Sequence, residues 1–158
     1  MAVAIALLLA FGGSSYAAGR RIPTARVYNN PGQIIINNTT TPLQFNSEVY
    51  DVGDLHSTSI DTSCLTAPMD GIYAISATVN WDSNSTGWRF VALATGLTYI
   101  ASTLVPAVSG NNTVQNVVTQ FKLFKGDCVE VDVFQNTVSD FNVFGGDTHF
   151  EMTWIAPG

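Results

Sequence analysis

Charged residues make up only 11% of this 158-residue sequence, where ordinary soluble domains carry about a quarter. With 46% hydrophobic residues, a monomer would present an unusually uncharged exterior, a surface suited to being covered by copies of the same chain. Positive charge is scarcer still. Beyond Arg26 only Arg89, Lys122 and Lys125 remain, against twelve acids, a net charge of −9 for residues 27–158. Such a body cannot neutralise a phosphate backbone, which excludes direct nucleic-acid binding. The other three cations, Arg20, Arg21 and Arg26, precede every acid and give the N-terminus a +3 charge suited to an acidic protein partner.

The residues of catalysis are equally sparse. There is no Gly-x-Ser-x-Gly elbow, no His-Glu-x-x-His, no phosphate loop and no dinucleotide fingerprint. His56 and His149 are the only histidines, one in a predicted loop and one opening a predicted strand, so the chain is not expected to be an enzyme. Two cysteines, Cys64 and Cys128, are too few for a disulfide framework. Both fall in predicted strands, where a cysteine is a small buried hydrophobe, with a single inter-strand disulfide as the alternative. No apolar run reaches the roughly 20 residues of a spanning helix. The N-terminal run, Met1 to Phe11, has about half that length, so no membrane span is expected.

What the chain does contain is strand and turn. After Asp70-Gly71, residues 72–81 alternate Tyr73, Ile75, Ala77, Val79 and Trp81 with Ala74, Ser76, Thr78 and Asn80, the period-2 pattern of a half-buried strand. Residues 128–134 alternate likewise, Val129, Val131 and Val133 inward and Glu130 and Asp132 outward, as the wet face of a sheet. Further strands are predicted at 25–29, 33–36, 42–46, just before Pro68, and at 88–94, 98–105, 113–124 and 149–155. Residues 50–63 and 135–148 are predicted to be long loops. Ten short strands with no helical period and no fixed repeat imply an all-β sandwich or barrel.

Residues 1–24 form an apolar and basic arm ahead of this body. Its apolar stretch ends in Ser-Tyr-Ala-Ala-Gly, which superficially matches a secretory leader, but no cation precedes it while Arg20 and Arg21 follow it. The polarity favours a retained docking arm, with Ile5, Leu7, Leu8, Leu9, Phe11, Arg20, Arg21 and Arg26 as its contact residues; cleavage after about residue 18 is the alternative.

Two motifs carry a family resemblance. Leu65-Thr66-Ala67-Pro68-Met69-Asp70-Gly71-Ile72-Tyr73 resembles the apolar-Thr-x-Pro-x-x-Gly-apolar-Tyr corner of complement C1q heads and their tumour-necrosis-factor-like relatives. Phe121-Lys122-Leu123-Phe124-Lys125-Gly126-Asp127-Cys128-Val129 is similar to their Leu-x-x-Gly-Asp-x-Val corner. Pro68, Gly71, Tyr73, Leu123, Gly126, Asp127 and Val129 are the matching positions, and Gly71 is where a positive φ would be tested. The resemblance spans residues 25–155, within a domain of residues 25–158, and implies a ten-stranded jelly roll that packs as a homotrimer with one sheet facing the three-fold axis. The collagen-like stalk of many animal members is missing, and single jelly rolls with short arms resemble bacterial and bacteriophage members, virion decoration and fibre proteins among them.

The functional expectation is therefore a non-enzymatic, trimeric capsid-decoration or fibre subunit at the virion surface. Its arm would dock to a major capsid or other virion protein, and a host-surface glycan is a further candidate ligand. The alternative is a secreted C1q-like module that binds glycan or protein. No cofactor is expected. Asp51, Asp54, His56 and Asp61 are the one dense set of metal-ligand types, and calcium, which some family members hold near the trimer axis, is the ion they would take, although their spacing matches no calcium-loop signature. Trp81, Trp88 and Phe90, flanking the loop after residue 81, are core residues or an aromatic ligand surface.

Overall fold

The eleven residues Gly71–Trp81 form one unbroken strand because nothing in them bends, charges or interrupts the pleat. In the computed structural model, which describes residues 21–158, their alternation becomes a strict buried and half-buried alternation. Twelve strands follow in order: β1 Thr24–Tyr28, β2 Gly32–Ile35, β3 Thr41–Pro42, β4 Ser47–Val52, β5 Leu65–Thr66, β6 Gly71–Trp81, β7 Trp88–Thr95, β8 Thr98–Pro106, β9 Thr113–Leu123, β10 Cys128–Gln135, β11 Phe141–Phe144 and β12 His149–Ala156. No helix occurs among the described residues, so none there is long and apolar enough to cross a membrane.

The strands form two antiparallel sheets. In the seven-stranded sheet the order is β2-β11-β6-β12-β1-β4, with β9 along the other edge of β6; the second sheet runs β3-β10-β7-β8, with β5 also on β10. Between them lie Tyr73, Ile75, Val79 and Trp81 of β6, Val91 and Leu93 of β7, Val129, Val131 and Val133 of β10, and Phe150 and Met152 of β12. Each such side chain stabilises the sandwich by about 1.5–3 kcal/mol relative to exposure.

Several expectations need correction. There are twelve strands rather than ten, because β4 begins in the unassigned residues after 46 and runs into the first stretch predicted to be a loop, and β11 lies inside the second. The predicted strand at 42–46 shrinks to Thr41–Pro42, yet Leu43 and Phe45 stay in the core, their amides bonded to the carbonyls of Val131 and Thr62. The cysteines are not free buried hydrophobes. Cys64 and Cys128 form a disulfide with a Cα separation of 5.4 Å, and Cys64 sits just before β5 rather than within a strand.

Candidate interaction surfaces

The two motif corners are one structure. The Ala67 amide donates to the Asp127 carbonyl and the Gly126 amide to the Ala67 carbonyl, while Asp70 Oδ1 accepts from the Lys125 amide at 2.8 Å. Asp127 closes its own turn by accepting from the Phe124 amide at 2.8 Å. Leu123 and Val129 enter the core on either side of that turn. Tyr73 is fully buried and donates its hydroxyl to the Met69 carbonyl at 2.7 Å; burial raises its pKa. Gly126 has φ +93°, whereas Gly71 has no such dihedral. A Cβ at Gly71 would instead overlap the Trp154 indole. Gly71 is required by close approach, not by a positive φ.

The metal candidates do not converge. Asp51 spends both carboxylate oxygens on the amides of Leu55 and His56, each at 3.0 Å. His56 is buried against β4, with Nδ1 at 2.9 Å from Glu48. Asp54 and Asp61 occupy left-handed turn positions, φ +56° and +48°, which Asp tolerates. Asp54, His56 and Asp61 line one surface hollow beside Cys64 and Ile60. Among the described residues the one group of three ligand atoms within reach of a single ion is Cys64, Cys128 and Glu130, and the disulfide takes two of these. Donors already committed to the fold suit a stapled loop better than a calcium site.

Of the arm residues, Ile5, Leu7, Leu8, Leu9, Phe11 and Arg20 lie outside the described residues. Arg21 lines a small apolar hollow with Ile22, Pro23, Met69 and Trp154. Arg26 lies in β1, ion-paired with Glu151 of β12 at 2.7 Å.

That pair sits in the middle of the open face of the seven-stranded sheet. Strand register places Tyr50, Arg26, Glu151, Ser76 and Val118 in one row, and Val52, Thr24, Thr153, Ala74 and Gln120 in the next. His149, in a third row, lies between Tyr28 and Thr78. The centre of this face is small and polar, with Thr24 and Thr153 hydroxyls 2.6 Å apart and Thr78 donating to Asn116 at 2.8 Å. Along its β9 edge the outward positions are Val114, Asn116, Val118, Gln120 and Lys122, with Val118 71% and Val114 55% exposed. The three rows carry no charge beyond the mutually neutralised Arg26 and Glu151.

The five-stranded sheet has a different outer face. Trp81 belongs to the core, where Nε1 donates to Gln115 Oε1 at 2.8 Å, but Trp88 and Phe90 point outward. Trp88 stacks on Phe134 at 4.8 Å between ring centroids, and Phe90 meets Tyr99 at 5.5 Å. Glu130 accepts a short hydrogen bond from Ser63. Asp132 is half-buried, and desolvation, then the neighbouring Glu130 charge, raises its pKa. The pair is not the plain wet face the alternation implies.

Arg89 is the residue that composition alone hides. It is fully buried, with its guanidinium 4.4 Å from the Phe141 ring and donating to the carbonyls of Asn84, Thr86 and Trp88. Burial lowers its pKa. It anchors the loop between β6 and β7 from below. Its position between outward Trp88 and Phe90 marks it as inward by parity, which is the signal that could have found it.

No protein-family model matches the chain, and no curated protein matches it. Among solved structures it is similar to the globular domain of zebrafish complement 1qA protein, with a TM-score of 0.66 and 17% identity over 86% of this chain and 99% of that one. It is also similar to Eiger TNF from S. frugiperda, with a TM-score of 0.64 and 12% identity over 88% of this chain and 96% of that one. At these identities the likeness is one of fold, and the two sheets, their joined corners and the superposition together make residues 21–158 an all-β jelly roll of the C1q and tumour-necrosis-factor type.

Proposed function

We propose that this chain is a non-enzymatic homotrimeric subunit, displayed on the outside of a virion and docked there by residues 1–24. The open face of the seven-stranded sheet carries the trimer reading: five strands of mostly uncharged side chains, one internally neutralised ion pair, Arg26–Glu151, and a single further cation, Lys122, at the end of β9. Such a face costs little to desolvate and is suited to a self-complementary interface. The apolar, basic N-terminus against an acidic body supports the docking reading.

A second reading, a secreted recognition module for protein or glycan, accounts equally well for one observation. The Cys64–Cys128 disulfide belongs to oxidising surroundings, extracellular space and virion surfaces alike. The test is the native mass by light scattering together with intact-subunit mass spectrometry on material from the natural source. A trimer of chains beginning at Met1 or Ala2 is the expected result. A monomer would overturn the trimer, and a trimer beginning at Ala18 or Gly19 would replace the virion reading with the secreted one. Deletion of residues 1–21 should abolish assembly onto particles, and full occupancy without them would refute the docking role.

A further inference from the structure

We propose that the outer face of β7, β8 and β10 is a docking site for a basic side chain, arginine or lysine, carried by a protein partner and held between the Phe90–Tyr99 ring pair and the Asp132 carboxylate. Register places Asp132, Ala92 and Ser102 in one outward row, flanked by the row of Phe134, Phe90 and Leu104 and by the row of Glu130, Ala94 and Tyr99. Rows on one face of a sheet lie about 7 Å apart along the strand. Phe90 and Tyr99, from the two flanking rows, reach across the middle one and tilt together. Ala92 is 0% exposed although it faces outward, so the ring pair and its neighbours cover the middle row and offer their own outer faces, beside Asp132, as the surface. Tyr99 is 50% and Leu104 59% exposed.

Charge identifies the occupant. Among the described residues Asp132 has no ion-pair partner and no side-chain hydrogen bond, and Glu130 is engaged with Ser63. Strands β3, β5, β7, β8 and β10 contain a single cation, Arg89, which points inward and is held by loop carbonyls. The face therefore offers a partly desolvated anion beside aromatic rings, and a cation with an apolar stem satisfies both at once. A sugar ring fits less well. It would need an open aromatic face, whereas Trp88 and Phe134 are stacked on each other at 19° between planes. The site is complete within one subunit and does not depend on the trimer.

The full chain is titrated by calorimetry with a tetra-arginine peptide and with its uncharged isostere, tetra-citrulline. The arginine peptide is expected to bind, with the citrulline peptide and the Asp132→Asn variant each about tenfold weaker or worse. Tyr99→Leu should also weaken binding, and Asp147→Asn, at an exposed turn beside Asn80 of the other sheet, should leave it unchanged. Asp132→Asn is close to isosteric and removes a repelling charge, and near-UV circular dichroism confirms its fold. Absence of binding overturns the proposal. So does equal weakening by Asp147→Asn and Asp132→Asn, which would be diffuse attraction to an acidic body. Binding of a neutral oligosaccharide such as cellohexaose in place of the peptide would make the face a glycan surface instead.

Discussion

A Cβ at Gly71 would overlap the Trp154 indole and lie 2.6 Å from the Ala156 carbonyl oxygen, in a backbone conformation open to any residue. Gly71→Ala should therefore destabilise by overpacking, about 1–3 kcal/mol in urea unfolding. The cost should fall in a Trp154→Ala background, because the two positions share one volume. Additive effects would show that the indole is not what excludes the side chain. Tyr73 is constrained differently. Tyr73→Phe leaves the Met69 carbonyl without its hydroxyl donor and should cost about 1–2 kcal/mol. Its folded pKa is raised, so the contribution is fully present below the unfolded value of about 10 and is lost as pH climbs through the folded one. Wild type should accordingly lose stability more steeply than the Phe variant in unfolding curves above pH about 10. Parallel curves would place the phenol in contact with water.

At the scale of elements, the disulfide ties the segment before β5 to the start of β10 across 64 positions of sequence. Closing a loop of that length in the unfolded chain is worth about 4 kcal/mol. The double variant Cys64→Ala/Cys128→Ala should lose stability of that order, and reduced wild type should unfold at the same urea midpoint. A loss under about 1 kcal/mol would mean that the unfolded chain is not constrained by the bridge. The pairing could not be read from sequence, because two cysteines become neighbours only when β5 and β10 align. The long strands, by contrast, were legible wherever one face is core. The β6 and β10 alternations survive residue by residue in the buried pattern. Strand β4 escaped because it is an edge with acids on its inner side: Glu48 and Asp51 turn under it to hold His56 and the following loop, so its pattern has no apolar parity. Strand β11 escaped because it is four residues long and contributes only Phe141 and Val143 to the core. The same physics separates the candidate sites. Asp51 and His56 were conspicuous by type and turn out to be structural, while Asp132 looked like an ordinary surface acid until its neighbours were known.

For the whole molecule, the uncharged composition and the open seven-stranded face point to the same arrangement. The described domain places its aromatic and acidic outer face on one sheet and its charge-poor rows on the other. If copies meet through the second face, Ser76 lies near the middle of the buried area, between Glu151 and Val118 in its row. In a monomer Ser76→Arg would project a long side chain into water from a half-exposed position and leave the sandwich intact. In a trimer the same substitution would bury a bulky side chain and one excess positive charge per copy, since the adjacent Glu151 is already neutralised by Arg26, a cost of several kcal/mol per copy that a standard-sized interface cannot absorb. The variant should therefore sediment as a folded monomer, with the far-ultraviolet dichroism of wild type, at concentrations where wild type sediments as a trimer. Thr98→Arg, exposed at the start of β8 on the other sheet, should remain trimeric. A trimeric Ser76→Arg protein would move the interface away from the seven-stranded sheet, and the scarcity of charge on that face would then have to be explained by a partner other than a copy of this chain.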